Sequence, residues 1–243
     1  MSVPSLFQRL GILTPSSNTV LEPVTMRLAA PLADRLSLHV ARFPVTVIAD
    51  EPESHRQFAL ERMLEAVRLL DDARVDAFLW AGTSAAWEGL ATDRALVEAI
   101  ATQTGKPSTT ATLSLLAAFR ALGIARYGLV VPYVAPIVER IVDNLEAEGF
   151  ACAGVRNDAL TTNWEFSAVS AEVIAEHARA VAAAGAKAIV IHCTNLRGAE
   201  VSEALELELG IPVLDSVVVG LWGALRLLGI EVPQSGFGRL ARA

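Results

Sequence analysis

The chain carries one pattern twice. GILTPSS at residues 11–17 returns as GLVVPYV at 128–134, and FLWAGTS at 78–84 returns as IVIHCTN at 189–195. GKPSTTATLSLLAAFRALGI at 105–124 returns as GIPVLDSVVVGLWGALRLLGI at 210–230. Three blocks in one order, with a slowly shrinking offset, describe a duplicated unit. No stretch rich in Pro, Gly or Ser separates the halves, so the junction near residues 120–126 is tight.

Within each half, short apolar runs alternate with longer amphipathic ones. Strands are expected at residues 10–14, 36–43 and 77–81, then at 128–131 and 188–192. Residues 55–71 place Phe58, Leu60, Met63, Leu64, Val67 and Leu70 at helical spacing. Further helices are expected at 93–104, 111–122, 135–148 and 171–184. Strands alternating with helices imply a mostly parallel sheet in an α/β fold. In such sheets the loops at the carboxyl ends of the strands carry the site. Here those loops are 15–18, 82–84, 132–133 and 193–195, and two related units facing each other would gather all four round one cleft.

Composition narrows the partners. Among 243 residues, 53% are hydrophobic and 27 Asp and Glu outnumber 20 Lys and Arg, giving a formal charge of −7. An acidic chain without a basic run excludes nucleic acid and an anionic membrane surface as expected partners. The longest apolar stretches, such as residues 217–225, fall short of the roughly 18–20 residues of a spanning helix. No charged-then-apolar leader opens the chain. The expectation is a soluble, cytoplasmic protein whose Ala-, Val- and Leu-rich strands are buried. Two cysteines, Cys152 and Cys193, make no disulfide framework, and the histidines lack metal-ligand spacing. No phosphate loop, GxSxG elbow or GxGxxG turn is present.

Cys193 follows an apolar strand, at the repeat equivalent of the Gly82-Thr83-Ser84 turn. A lone cysteine is ordinarily a buried structural thiol; at a strand's carboxyl end it becomes a candidate proton donor, its free pKa being about 8.5, or a thiolate if backbone amides near residues 195–197 favour the charged form. Cys152 has no such setting and reads as structural. Gly82, Thr83 and Ser84 combine close backbone approach with hydroxyl and amide donors, which suits an anion, although Ser and Thr equally cap helices. Pro15, Ser16 and Asn18 form the partner loop. Tyr133 is either a donor to a carboxylate or a core-edge residue, and Asn163 either a substrate contact or a turn residue. His192 adjoins Cys193, but neighbouring strand residues point to opposite faces, so a Cys–His dyad is not expected.

Taken together, PSSNT at 15–19, AGTS at 81–84, PY at 132–133, CTN at 193–195 and GFGRL at 236–240 resemble the aspartate/glutamate racemase superfamily, in its maleate cis–trans isomerase and arylmalonate decarboxylase branch. The resemblance implies two pseudosymmetric, flavodoxin-like α/β domains with parallel sheets and an active site at their interface. The first domain would be 1–120 with 217–243, and the second 121–216. It implies chemistry without metal or organic cofactor, and a small carboxylate or dicarboxylate substrate. Whether the protein forms a homo-oligomer is left open.

Two-base members of that superfamily use one cysteine from each half. The second-half cysteine matches Cys193, whereas the first-half position here is Gly82. The resemblance is then to the decarboxylase pattern: Thr83, Ser84, Tyr133 and Thr194 bind the carboxylate or enediolate, and Cys193 protonates carbon. Pro15, Ser16, Asn18, Gly82 and Asn163 would line the substrate, the two asparagines matching the isomerase branch. The alternatives are maleate isomerisation or amino-acid racemisation using Cys193, and a diacid-binding member without catalysis.

Overall fold

A computed structural model describes residues 7–243; residues 1–6, on which the expectation about a leader falls, lie outside the described residues. The first half runs β1 (Gln8–Pro15), α1 (Leu21–Ala29), β2 (Leu36–Phe43), α2 (Pro52–Arg56), α3 (Leu60–Asp72), β3 (Ala77–Trp80), α4 (Ala85–Glu88), α5 (Leu90–Thr104), β4 (Ser108–Thr110) and α6 (Ala111–Ala121). The second runs β5 (Arg126–Tyr133), α7 (Ala135–Ala147), β6 (Ala151–Leu160), α8 (Asn163–Phe166), α9 (Ala171–Ala183), β7 (Ile189–Ile191), α10 (Ser202–Leu209), β8 (Val213–Asp215) and α11 (Ser216–Leu227).

The strand orders are β2-β1-β3-β4 and β6-β5-β7-β8, with every pair parallel. The two sheets therefore have one topology, as the repeat predicts. β1, β3, β5 and β7 are central in their sheets, and helices cover them, so they read as continuous apolar runs. No helix of the described residues is long and apolar enough to cross a membrane.

The last helix of each half reaches across to the other. α11 packs along α6, β3 and β4, while Phe119 of α6 stacks near Tyr127 and Phe150 of the second half, at centroid distances of 5.5 and 4.7 Å. Two glycines make the α6–α11 approach close. A Cβ at Gly220 would make only ordinary contact with Leu79 and Ala111, but one at Gly223 would stand 2.1 Å from Ser114 Oγ and 2.8 Å from its Cβ.

One expected helix is two. Residues 55–71 divide into α2 and α3, with Ala59 in an extended conformation (ψ 136°) at the start of α3. Gln57 breaks the helix by serving the loop before it: Thr46 N donates to its Oε1 and its Nε2 donates to the Val47 carbonyl, each at 2.8 Å. Phe58 then turns toward Trp87, 5.9 Å between centroids, instead of joining the helix face. The segment from 44 to 59 becomes a strap across the two halves. Ile48 N donates to Thr161 O at 2.7 Å, Asn163 N donates to Thr46 O at 2.9 Å, and Arg140 pairs with Asp50 at 2.9 Å.

Buried polar groups join neighbouring elements. Thr110 caps α6 by accepting from Leu113 N at 3.0 Å, and its hydroxyl donates to the buried Asp93 of α5. Burial pushes the Asp93 carboxyl up to about 7, against the Thr110 hydrogen bond that favours its charge.

Two outcomes follow from this packing. Gly223→Ala overfills the α6–α11 contact and destabilises by about 1–3 kcal/mol; adding Ser114→Gly recovers much of the loss, as read in denaturant unfolding. Asp93 holds its proton to about pH 7 when folded but ionises near pH 3.9 when unfolded. Its contribution to stability is complete below the unfolded value and declines as the pH rises toward 7. Asp93→Asn should therefore gain on the native chain between pH 5 and 7 in melting temperature; a pH-independent difference contradicts the assignment.

Candidate functional site

The carboxyl ends of β1, β3, β5 and β7 converge on one small cleft. Pro15, Gly82, Thr83, Ser84, Tyr133, Asn163, Cys193 and Thr194 line it, together with Ile48, Phe58, Trp80 and Trp87. Eight of the residues singled out from the sequence thus meet around one small space. Ser16 and Asn18 stand behind the lining. Ser16 Oγ accepts from Val45 N at 3.2 Å. Asn18 Oδ1 accepts from Val20 N and Leu21 N, at 3.0 and 2.9 Å, and fixes the start of α1.

Cys193 lies two residues beyond β7 and is buried. Asn195 N donates to its sulfur at 3.4 Å. Burial pushes the thiol up to about 11; hydrogen bonds from Tyr133 and from the amides of Asn195 and Leu196 act in the opposite direction, and nearby Asp215 adds to the rise. Cys193 is therefore a neutral thiol throughout the physiological range. Cys152 lies in β6, half-buried, with its sulfur against Gly154 O at 3.5 Å, away from the cleft.

Tyr133 ends β5. Its hydroxyl is 3.0 Å from Thr83 Oγ1 and interacts with the Cys193 sulfur. Burial, with Cys193 beside it, holds the phenol well above its usual range, so it stays protonated and can donate. The ring is fixed between Trp87 and Phe166, at centroid distances of 5.0 and 5.4 Å. His192 turns away toward Ser216, 3.4 Å from Nδ1, and burial lowers it to about 3, so it remains neutral.

The Gly82-Thr83-Ser84 turn leads into α4, whose start makes no side-chain cap, so the Ser84 hydroxyl is not spent on capping. A Cβ at Gly82 would lie 2.1 Å from Trp80 Cζ2, 2.4 Å from Cη2 and 2.6 Å from Cε2. The indole thus occupies the space where any side chain at position 82 would begin. Phe43 braces it, 5.2 Å away between centroids.

Polar side chains clamp the halves together at the cleft floor. Asn195 Oδ1 accepts from Thr19 N and Val20 N at 2.9 and 3.2 Å, and its Nδ2 donates to Asn163 O at 2.6 Å. Asn163 Nδ2 donates to Ser17 Oγ at 2.7 Å. Thr194 Oγ1 accepts from Asn18 Nδ2 and donates to Ala81 O, each at 3.1 Å. Ser17 and Asn195 lie within the PSSNT and CTN motifs, but nothing in the sequence assigns them these clamping roles. Among the described residues no cluster of three His, Cys, Asp or Glu is arranged to hold a metal ion.

The chain is similar to proteins of known activity. The chain is 31% identical over 244 residues to maleate isomerase of Nocardia farcinica, covering 97% of this chain and 96% of that protein. It is 30% identical over 185 residues to arylmalonate decarboxylase of Bordetella bronchiseptica, covering 74% and 77%. Its fold superposes, at a TM-score of 0.86 and 28% identity, on a cysteine-to-serine variant of the Nocardia farcinica maleate cis–trans isomerase with a covalently bound succinylcysteine intermediate, covering 97% and 98% of the two chains. A liganded arylmalonate decarboxylase double variant matches at a TM-score of 0.86 and 25% identity, covering 96% and 98%. A sequence model described as arylmalonate decarboxylase matches residues 48–241. With that match spanning most of its length, the chain belongs to the arylmalonate decarboxylase family.

Proposed function

We propose that the protein is a cofactor-independent decarboxylase of a malonate-like diacid, with Cys193 as its single proton donor. The observation that carries this reading is the pairing of a neutral Cys193 with a first-half position, Gly82, that holds no side chain and is covered by Trp80. Racemisation needs an acid and a base on opposite faces of a planar carbanion. This cleft offers one thiol.

In the proposed reaction, hydroxyl and amide donors of Thr83, Ser84 and Tyr133 hold the carboxylate that stays. The bond from the α-carbon to the other carboxylate breaks, carbon dioxide leaves, and the electron pair passes into an enediolate. Cys193 delivers its proton to the α-carbon, and the resulting thiolate regains a proton from solvent. Each well-aimed oxyanion donor contributes about 2.7–4 kcal/mol of transition-state stabilisation. Thr194, whose hydroxyl is bonded to Ala81 O and Asn18, holds the loop that bears Cys193. Pro15, Ser16 and Asn18 position the neighbouring loop, and Asn163 stands at the cleft edge.

The relatives support a small diacid, since both arylmalonate and maleate are dicarboxylates. Maleate isomerisation is the second reading, favoured by the 31% identity to the Nocardia farcinica enzyme. A succinylcysteine forms by attack of a sulfur nucleophile, which requires thiolate character. The high pKa of Cys193 opposes that and favours donation. The same account assigns residues 1–120 with 217–243 to one domain and 121–216 to the other, which the packing of α11 on β3, β4 and α6 supports.

Cys193→Ala should abolish loss of carbon dioxide from a disubstituted malonate, by at least about 10³-fold, while leaving the melting temperature within a few degrees; full turnover in that variant contradicts the reading. A proton donor works only while protonated. kcat/KM should therefore be insensitive to Cys193 ionisation from pH 6 to 9 and fall as the pH approaches 11. A profile that instead rises through pH 9 identifies a thiolate and points to isomerisation.

A further inference from the structure

We infer that Trp80 is a specificity-determining residue, whose indole N–H donates to a substrate carboxylate oxygen and whose ring closes the first-half face of the cleft to proton transfer. Trp80 is fully buried yet lines the cleft that holds Cys193. Its Nε1 has no hydrogen-bond partner among the described residues. An indole N–H can only donate, and a buried donor left unpaired is costly. Such a group beside a cleft that gathers Thr83, Ser84 and Tyr133 is suited to an anion that completes it.

The position of the ring gives the rest. Cε2, the atom to which Nε1 is bonded, reaches within 2.6 Å of the point where a Gly82 Cβ would stand. The indole ring therefore stands over position 82, the repeat equivalent of Cys193, and its unpartnered Nε1 belongs to the same ring that lines the cleft. One face of the cleft has a thiol that exchanges its proton, and the other has a donor that neither gives up nor takes a proton near neutral pH. Phe43 on one side and the absent Cβ of Gly82 on the other hold the ring there. Trp80, Phe58 and Ser84 also wall a second cavity lined by Met63, Asp93 and Leu96, so the same ring divides the catalytic space from that larger one.

This inference rests on the reading of the cleft as a carboxylate site and is independent of whether carbon dioxide is lost. It is tested by binding. The full chain is labelled with ¹⁵N-tryptophan, the Trp80 indole resonance is assigned through contacts of its ring with Phe43, and methylmalonate and maleate are titrated separately. The Trp80 Nε1 proton should move downfield with saturation by at least one diacid. Trp80→Phe, which keeps an aromatic ring and removes the donor, should bind that diacid at least about ten-fold more weakly, the scale of a hydrogen bond to a charged group, measured below the melting temperature that the smaller core ring lowers.

An unmoved Trp80 resonance under saturation overturns the inference, as does undiminished binding by a folded Trp80→Phe chain or failure of both diacids to bind. If Trp80→Phe does not fold, the titration of the native chain still decides. Carbon dioxide release with an unmoved Trp80 resonance removes this inference and leaves the decarboxylase reading. A shifted resonance without carbon dioxide release does the reverse.

Discussion

The buried carboxamide of Asn195 is the interaction on which the cleft depends. It comes from the loop after β7, accepts two backbone amides at the start of α1 and donates to the backbone carbonyl of Asn163, the first residue of α8. Three loops from two halves are thereby fixed by one side chain with no accessible surface. The bonds to Val20 N and to Asn163 O are buried, so the clamp favours one relative placement of the halves. The crossing of α11 onto the first sheet and of α6 toward the second adds apolar area to the same association.

That placement sets the chemistry. Cys193 is in a dry site, where burial outweighs the three hydrogen bonds that favour its thiolate, and it keeps its proton. Tyr133 keeps its own for the same reason. A pocket furnished with neutral donors rather than charges suits an anion whose charge moves during reaction, because the donors are already oriented before charge develops. The strap at 44–59 and the aromatic wall of Phe58, Trp80 and Trp87 complete the enclosure.

Much of this was legible in the residues. Central parallel strands are buried on both faces, so their apolar runs and the loops that end them stand out, and the repeat identifies which loops are equivalent. β6 was not legible because it is an edge strand: Arg156, Asn157 and Asp158 break any apolar alternation there. β4 (STT) and β8 (VLD) are three residues each and, unlike the equally short but wholly apolar β7, include polar residues and so make no apolar run. The break between α2 and α3 depends on Gln57 and Phe58 meeting partners remote from their own helix. Of the asparagines, Asn18 and Asn163 were visible as polar residues in the right loops, but their bonds to Thr194 and Ser17 span 176 and 146 positions and have no local signature. The fold of Trp80 over Gly82 is a rotamer choice, fixed only by the packed site.

The central claim is that one thiol protonates one face of a carbanion released by loss of carbon dioxide. The most direct test is the reaction of a disubstituted prochiral malonate in deuterated water, followed by NMR and by the handedness of the product. The account predicts carbon dioxide release, one deuterium at the α-carbon, a single enantiomer, and no later exchange of that deuterium. A racemic or continuously exchanging product, or conversion of maleate to fumarate with the malonate untouched, contradicts it.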